Sequence, residues 1–385
     1  MSEMAGFLEK LLDGNEVDWL LLGDVTQYEQ PTKYIVKTTN YSDDHQTPVL
    51  TAGKSFILGY TNEVNGIYRG STSPVIIFDD FTTANKWADF DFKVKSSAMK
   101  MITSSDDAKF VIRYIFHWLN TVPSGLVDGD HKRQWISNYC NKKIPIPCPD
   151  DPEKSFAIQG EIVRILDTFT ELTAELTAEL TQRKKQYNHY RDQILTFDEG
   201  EVEWKTLGEI TEINTGRKPS EILGTSTDYD YINAGTSRSG YTIDSNCLGD
   251  TVTTPSRGQG GIGYVGYQQK PFWLGPLCYK MRALDTNFMT NKYLFYFLQA
   301  NSDLLLGLKK EGGVPAVNKS DLAELKIPVP SLKEQARIVA ILDTFDTLTT
   351  SISEGLPREI ELREKQYAYY RDQLLDFPKP NEEAA

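Results

Sequence analysis

The glycine-rich segment 258–263 (GQGGIG) has the GxGxxG spacing of dinucleotide-binding proteins. In those proteins the glycines follow a strand and open a helix whose N-terminus holds the phosphates. The residues that follow here, YVGYQQKPFW, are typical of a strand and a turn, so a nucleotide site is not expected. The GKS at 53–55 resembles the end of a P-loop, but Pro48 stands where the first glycine is required.

Other side chains that could catalyse reactions or bind metals are scattered along the chain. The cysteines form no CxxC pair and have no histidine at zinc-ligand spacing, so free thiols in a reducing compartment are expected at Cys140, Cys148, Cys247 and Cys278. No serine or cysteine partner is recognisable for the histidines, which are His45, His117, His131 and His189. Each histidine is therefore expected to be either a surface residue or a polar residue whose ring nitrogens are hydrogen-bonded within the protein. No NPPY-type or DPPY-type methyltransferase motif occurs, and the sequence predicts neither an active site nor a metal site.

An acidic pair, Asp79 and Asp80, follows the strand-like run VIIF. Two neighbouring carboxylates could serve a metal or an acid–base site. A loop contact or a hydrogen bond to a base edge explains the pair at least as well.

Arginine and lysine occur in loops among glycine, serine, threonine and aromatic residues in two parts of the chain. Arginine can form paired hydrogen bonds with guanine, hydroxyls and amides can read other base edges, and lysine can bind phosphates. The candidate DNA-contacting residues are Thr51, Lys54, Tyr60, Arg69, Lys86, Lys132, Arg133, Arg217, Lys218, Arg238, Arg257, Lys309, Lys310 and Lys319. For any single charged residue of this set, a solvated surface group is an equally good explanation.

The large negative net charge does not exclude a nucleic-acid partner. The chain of 385 residues has a formal net charge of -13, which at first argues against nucleic-acid binding because phosphates attract lysine and arginine. The acidity lies outside the blocks 17–150 and 202–330, however, and each nearly neutral block can present one basic face. The chain has no run of about 18 apolar residues. It also lacks a signal-peptide pattern, so a cytoplasmic location is expected.

An internal duplication organises the chain. Four segments recur in the same order: VDWLLLGDVT (17–26) and VEWKTLGEIT (202–211), KIPIP (143–147) and KIPVP (326–330), IVRILDTF (162–169) and IVAILDTF (338–345), KQYNHYRDQILTF (185–197) and KQYAYYRDQLLDF (365–377). The variable blocks also align in part, with LTAGKSFILGYT (50–61) over INAGTSRSGYT (232–242). The sequence predicts an N-terminal helix (1–16), a globular domain (17–150), a long helix (151–201), a second globular domain (202–330) and a second long helix with a tail (331–385).

Each globular block is rich in strand-forming residues broken by turn residues, which predicts an α+β domain dominated by strands. Strands are expected at 74–78 and 231–232, and short helices at 108–119 and 291–308.

Apolar residues of the two long helices recur at steps of three and four and give each helix one coiled-coil seam. Antiparallel pairing of these seams would place the domains at opposite ends with approximate two-fold symmetry. The predicted fold class is therefore α+β, with two globular strand-rich domains separated by a long antiparallel two-helix coiled coil in a pseudo-two-fold duplication. The segment 7–14 is expected to cap the far end of this pair. Gly355 and Pro357 should bend the second helix.

Two divergent domains that each end in KIPxP and an LDTF…KQYxxYRDQ helix closely resemble the DNA specificity subunits of type I restriction-modification systems. The TAEL repeats at 173–180, with YEQPTKY and LREKQYxYYRDQ, resemble the type IC branch, and the resemblance covers almost the whole chain. It implies a DNA-reading subunit without its own active site, in which each domain is a target-recognition domain that reads one half of a split target in the major groove.

The same resemblance implies partners for the helices. Two modification (methyltransferase) subunits, which carry S-adenosylmethionine, would grip them, and restriction (motor and nuclease) subunits would join; no cofactor is expected in this chain. The helix residues implied in docking and spacing are Phe169, Leu172, Leu176, Leu180, Tyr187, Tyr190, Phe345, Leu348, Tyr367 and Tyr370. A helix of roughly 40 residues spans about 60 Å, so it could act as a ruler, and one further TAEL unit would add about 6 Å.

Two other classes of function remain open. A self-contained methyltransferase or nuclease is disfavoured because no catalytic motif occurs, and methyl transfer by the isolated chain would support it. A coiled-coil scaffold with two protein-binding domains is favoured by the net acidity. A gel shift with DNA, with and without modification subunits, distinguishes this scaffold from the DNA reader.

Overall fold

A computed structural model of the chain describes residues 5–53, 55–123, 133–198, 200–258, 260–310, 314–351 and 353–379. The chain forms two compact units, one from Met1–Glu175 with Ile360–Ala385 and the other from Leu176–Glu359. Among the described residues, no helix is both long enough and apolar enough to cross a membrane.

The first half of the chain consists of short strands and helices followed by one long helix. In order these are α1 (Ala5–Leu12), β1 (Val17–Leu21), α2 (Leu22–Val25), β2 (Thr26–Glu29), a 3-10 turn (Pro31–Tyr34), β3 (Thr47–Leu50), β4 (Ile57–Thr61), β5 (Tyr68–Arg69), β6 (Val75–Asp79), β7 (Asn85–Ala88), β8 (Asp91–Val94), β9 (Met99–Ser104), α3 (Ile112–Leu119), α4 (Gln134–Ser137), a 3-10 turn (Tyr139–Asn141), β10 (Lys143–Pro147) and α5 (Pro152–Ile194). Helix α5 begins with a proline, which suits the first helical position, and the Asp151 carboxylate accepts a hydrogen bond from the Lys154 amide at 3.0 Å.

The second half repeats this order. Its elements are β11 (Glu203–Thr206), α6 (Leu207–Ile210), β12 (Thr211–Thr215), β13 (Tyr229–Ile232), β14 (Tyr241–Thr242), β15 (Thr251–Pro255), β16 (Gly266–Gln268), β17 (Trp273–Leu274), β18 (Cys278–Ala283), α7 (Asn291–Ala300), α8 (Ser302–Gly307), α9 (Lys319–Ala323), β19 (Lys326–Val329), α10 (Leu332–Thr350) and α11 (Gly355–Leu374). The strands expected at 74–78 and 231–232 are confirmed. The helix expected from residue 108 begins only at Ile112, because the Val111 amide donates to the Gln159 side chain, and the helix expected at 291–308 is divided at Asn301.

The two halves share one sheet topology. In each half the first and last strands pair antiparallel, with Trp19 opposite Pro145 and Trp204 opposite Pro328. The sheet β2-β9-β6-β7 corresponds to β12-β18-β15-β16, and β4-β3-β8-β5 corresponds to β14-β13-β17. The corresponding pairs β3–β8 and β13–β17 are both parallel. The duplication thus extends into the variable blocks, where the aligned segments 50–61 and 232–242 join corresponding strands.

The core of the first unit includes both ends of the described chain. Leu8 and Leu12 of α1 are buried in one apolar cluster with Leu374, Leu375 and Phe377. The Trp19 indole also donates a hydrogen bond to the Pro378 carbonyl at 3.0 Å. The final residues are therefore an integral part of this unit.

The expected bend in the second long helix is a complete break, since α10 ends at Thr350 and α11 begins at Gly355. Gly355 has a φ of +76°, and a Cβ atom there would lie 2.5 Å from the Thr347 carbonyl oxygen. The glycine is required because the chain folds back onto the last turn of α10.

Candidate nucleic-acid interface

The glycine-rich segment and His117, for which the sequence predicts no catalytic role, have structural roles. After Gly263 the chain forms strand β16, so these glycines do not stand at the start of a helix. His117 is fully buried, with Nε2 at 2.8 Å from the Asp167 carboxylate and Nδ1 at 2.9 Å from the Tyr367 hydroxyl. Burial lowers the pKa of His117, although its hydrogen bond with Asp167 opposes this shift. Burial raises the pKa of the Cys278 thiol to about 12, and no cluster of three metal ligands occurs among the described residues.

The acidic pair is buried, with Asp79 6% and Asp80 2% exposed. Asp79 accepts hydrogen bonds from two amides of the turn that follows it. Asp80 Oδ1 accepts the Trp135 amide at 2.8 Å, and its Oδ2 lies 3.7 Å from Lys100 Nζ. Both carboxylates thus bind groups of the domain itself, which favours the loop contact over a hydrogen bond to a base edge.

The candidate DNA-contacting residues of the first domain lie on several loops and strands. Thr51 follows β3 and accepts a hydrogen bond from the Gly53 amide, Tyr60 is half-buried on β4, and exposed Lys86 lies on β7. Arg133 is exposed immediately before α4. Lys54, His131 and Lys132 lie outside the described residues.

Two candidate arginines, one in each domain, form ion pairs. Arg69 pairs with Asp91 at 2.5 Å and Arg238 with Asp230 at 3.1 Å. A hydrogen bond from Ser71 and the pairing with Arg69 together lower the pKa of Asp91. Exposed pairs contribute only about 0–1 kcal/mol, so either arginine could exchange its carboxylate for a base or phosphate at small cost.

The second domain has a connected polar network on strand β12, here called the β12 network. Lys319 Nζ donates to Asn214 Oδ1 at 3.0 Å, and Asn214 Nδ2 donates to Glu212 Oε1 at 2.9 Å. Lys280 Nζ also lies 3.0 Å from Glu212 Oε1. The hydrogen bond from Lys280 is the main cause of the lowered pKa of Glu212, and the hydrogen bond from Asn214 is the second. The network holds cationic groups beside a depression of about 490 Å³ that Asn214, Arg217 and Lys280 help to line.

Arg217 is positioned by the glycine before it. The Gly216 and Arg217 amides donate to the carbonyls of Gly275 and Leu274, and the Trp273 indole donates to the Arg217 carbonyl at 2.8 Å. The Arg217 guanidinium lies 5.5 Å from the centre of the Trp273 ring. A Cβ atom at Gly216 would lie 1.8 Å from the Leu274 oxygen, so only glycine permits this approach.

Of the remaining candidates of the second domain, all but Lys218 lie in one neighbourhood. Arg257 and Lys310 both form backbone bridges with Ala316, which brings them together with Lys309. The Lys310 ammonium also pairs with Asp321 at 2.6 Å. Lys218 is exposed beside Arg217.

Sequence reasoning missed two cationic residues, Lys280 and Arg282. They alternate with buried Tyr279 and Met281 on β18, opposite Asn214 and Glu212 of β12. The K-x-R alternation within CYKMRA was the available signal, because alternate residues of a strand share one face.

The helix residues form aromatic contacts within each unit. In the first unit Phe169 stacks on Tyr370, with ring centres 4.9 Å apart. In the second unit the ring centres of Tyr187 and Tyr190 lie 6.1 and 6.2 Å from that of Phe345. Leu176, Leu180 and Leu348 are half-buried, whereas Leu172 is exposed. The apolar seams thus pack helix against helix in part, and part of their surface remains accessible.

That surface includes a groove of about 760 Å³ in the second unit. It is lined by apolar side chains of α5, α10 and the segment after α5, together with polar residues at its rim: Gln186, Tyr190, Gln193, Ile194, Thr196, Phe197, Glu201, Glu334, Arg337, Ile341 and Phe345.

Duplicated α+β folds joined to long helices, with cationic side chains clustered on the second, are compatible with a nucleic-acid-binding protein of two similar domains. The family model of the type I restriction modification DNA specificity domain matches residues 199–362. The EcoR124I/EcoR124II specificity subunit of Escherichia coli is 55% identical over 406 residues, with 99% of each chain covered. The EcoprrI specificity subunit of Escherichia coli is 33% identical, with 92% of this chain and 93% of that one covered.

A crystal structure of the type I restriction-modification S subunit from M. genitalium has the same fold, with a TM-score of 0.63 at 17% identity and coverage of 96% of this chain and 98% of that one. The chain therefore belongs to the type I restriction-modification DNA specificity subunits, as the sequence motifs predict. Specificity subunits are non-catalytic components of their complexes.

Proposed function

We propose that the two globular domains each read one half of a split DNA target in the major groove. The observation that carries this proposal is the repeated sheet topology, which provides two similar reading domains with different loops. The first recognition domain would comprise residues 17–150 and the second residues 202–330. Residues 1–16, 151–201 and 331–385 would form the helical part that separates them.

In the second domain the β12 network and Arg217 are the proposed centre of DNA contact. Arg217 is exposed and held over Trp273, and Lys280 and Lys319 border the same strand. A good paired hydrogen bond from arginine to a base discriminates by about 1–3 kcal/mol, whereas lysine contacts to phosphate add affinity without sequence preference. We therefore assign specificity to Arg217 and affinity chiefly to the lysines.

The helices would fix the distance between the half-targets. Helix α5 has 43 residues and so measures about 64 Å. Major-groove segments one turn apart are separated by about 34 Å, which a helix of this length can span. Antiparallel pairing of the helices as one coiled coil is the arrangement we propose, supported by the aromatic stacking within each unit.

Exchanging residues 202–330 for the corresponding domain of another specificity subunit tests this function. The hybrid, assembled with modification subunits, is expected to methylate targets in which one half is changed and the other is retained. Mapping methylated sites in cells measures this result, with the unaltered chain as the control. A change in both halves would contradict independent reading, and absence of sequence-specific methylation with the unaltered chain would reject the proposed function.

We further propose that the helices dock two methyltransferase subunits, which carry S-adenosylmethionine, and that restriction subunits complete the complex. The groove beside Ile341 suits one such contact, because apolar side chains are accessible there between polar residues. Tyr190, 41% exposed, lies on one side of it.

Ile341→Asp should weaken binding of a modification subunit at least about tenfold, because a carboxylate would be buried in an apolar contact. Ala336→Asp is the matched control, since Ala336 is exposed on α10 and does not line the groove. Titration of the purified chain with the modification subunit measures both. Equal affinities for the two variants would place the docking surface elsewhere.

A further inference from the structure

In addition to a shared apolar core, a caged cation and a carboxylate join each globular domain to the helix that follows it. In the second unit Lys292 of α7 lies 3.1 Å from Asp343 of α10. The ammonium group of Lys292 lies over three rings, 4.4 Å from the centre of Tyr267, 5.3 Å from Tyr296 and 5.5 Å from Phe295. The Tyr296 hydroxyl donates to the same carboxylate. We call this set the Asp343 clamp.

The first unit contains the corresponding set at equivalent positions. Arg113 of α3 donates to Asp167 of α5 at 2.8 Å, and its guanidinium lies 4.6 Å from the Trp87 ring centre and 4.9 Å from that of Phe116. His117 stands where Tyr296 stands in the other unit and likewise contacts the carboxylate. This set is the Asp167 clamp. Both carboxylates are the aspartates of the repeated LDTF motifs.

A second contact accompanies each clamp. Gln159, which is completely buried, accepts the Val111 amide and donates to the Lys109 carbonyl, both at 2.9 Å. Gln335, also completely buried, accepts the Thr290 amide and donates to the Phe288 carbonyl, both at 2.9 Å. Each glutamine precedes its aspartate by eight residues. This spacing corresponds to about 12 Å along the helix.

Two contacts separated along the helix axis restrain a domain more than one contact does. The apolar side chains that each helix packs against its domain, such as Ile162 and Ile338, attract without direction, whereas two hydrogen-bonded points fix the domain at one position along the helix. The aromatic rings reinforce the outer point, because they attract the cation and exclude much of the water that would compete for it. The Lys292 side chain is accordingly only 21% exposed although its partner Asp343 is 47% exposed.

We propose that the Asp167 and Asp343 clamps are positioning devices that set where each recognition domain lies on its helix, and so restrict the DNA target to a single spacer length. This inference rests on the proposed function. Arg113, Lys292, Tyr296 and His117 need not touch DNA for this purpose. The helices alone cannot fix the distance between half-targets if the domains swivel at their attachment points.

The test is the spacer distribution of methylated sites in cells that express the chain with its modification subunits. For Lys292→Ala and Asp343→Ala, the fraction of methylated sites with a spacer one base pair longer or shorter should rise about tenfold. The bases of both half-targets should remain unchanged. Lys292→Arg should restore the single spacer, because arginine already occupies the corresponding position 113. Lys333→Ala, an exposed charge removal on α10, is the control.

Tyr296→Phe and Lys292→Gln retain most of the packed volume and are measured in parallel, with thermal unfolding to identify folded variants. If Lys292→Ala, Lys292→Gln or Asp343→Ala folds and keeps a single spacer, the inference is overturned while the proposed function stays intact. If even the unaltered chain directs no methylation at a split target, the proposed function fails and the inference fails with it.

Discussion

Gly216→Ala is expected to destabilise the second domain and to reduce binding of its half-target at least about tenfold. The new Cβ atom would lie 1.8 Å from the Leu274 carbonyl oxygen, which belongs to backbone and cannot rotate away. Strands β12 and β17 must then separate, which breaks the bonds that hold Arg217 against Trp273. Overpacking of this kind typically costs about 1–3 kcal/mol, and this backbone contact places the change at the upper end.

Gly224→Ala is the matched control, because it lies in the same domain and its Cβ atom would have no atom within 4 Å. Thermal unfolding and binding-site selection compare the two variants. Should Gly216→Ala match the control in both measurements, the close approach of the two strands would not be what positions Arg217.

Asp80→Ala is expected to have the largest effect in the first domain, about 3–5 kcal/mol of unfolding free energy. The carboxylate is buried beside Lys100, whose side chain is only 2% exposed, so its removal leaves an uncompensated charge. The substitution also removes the acceptor for the Trp135 amide in the first turn of α4. Reading of the first half-target should be lost, whereas the second domain should keep its own stability.

Chemical denaturation of the full chain measures this effect, with Asp107→Ala as an exposed control in the same domain. The double variant Asp80→Ala/Lys100→Met should recover part of the loss, because it removes the stranded cation as well. A double variant that is as unstable as the two single losses combined would contradict an energetic coupling of the pair.

The duplicated topology could be predicted from the sequence because repeated motifs precede and follow both domains. The KIPIP and KIPVP segments occupy matched last strands, and the partial alignment of 50–61 with 232–242 corresponds to matched strand pairs. A bend near Gly355 was also indicated, since glycine and proline disturb helices through local backbone effects, although the structure has a complete break there. These features depend on local chemistry or on sequence identity between the halves.

Hydrogen-bond and ion-pair partners that are distant in the sequence could not be predicted in this way. The pairing of Asp80 with Trp135 joins residues 55 positions apart, and that of Gln335 with Thr290 joins residues 45 apart. No local pattern specifies such contacts, because they arise only when sheets and helices have packed. The ion pairs of Arg69 and Arg238 escaped prediction for a related reason, as their carboxylates lie on neighbouring strands or across a turn.

The first unit contains residues from before and after the second unit in the sequence. The second unit can therefore be completed first during translation. All residues of Leu176–Glu359 have been synthesised before Leu374, Leu375 and Phe377 leave the ribosome. The second unit can therefore mature while the nascent first unit still lacks part of its interior, with α1 and α3 awaiting the last residues. Premature termination near residue 370 would consequently damage the domain that was translated first.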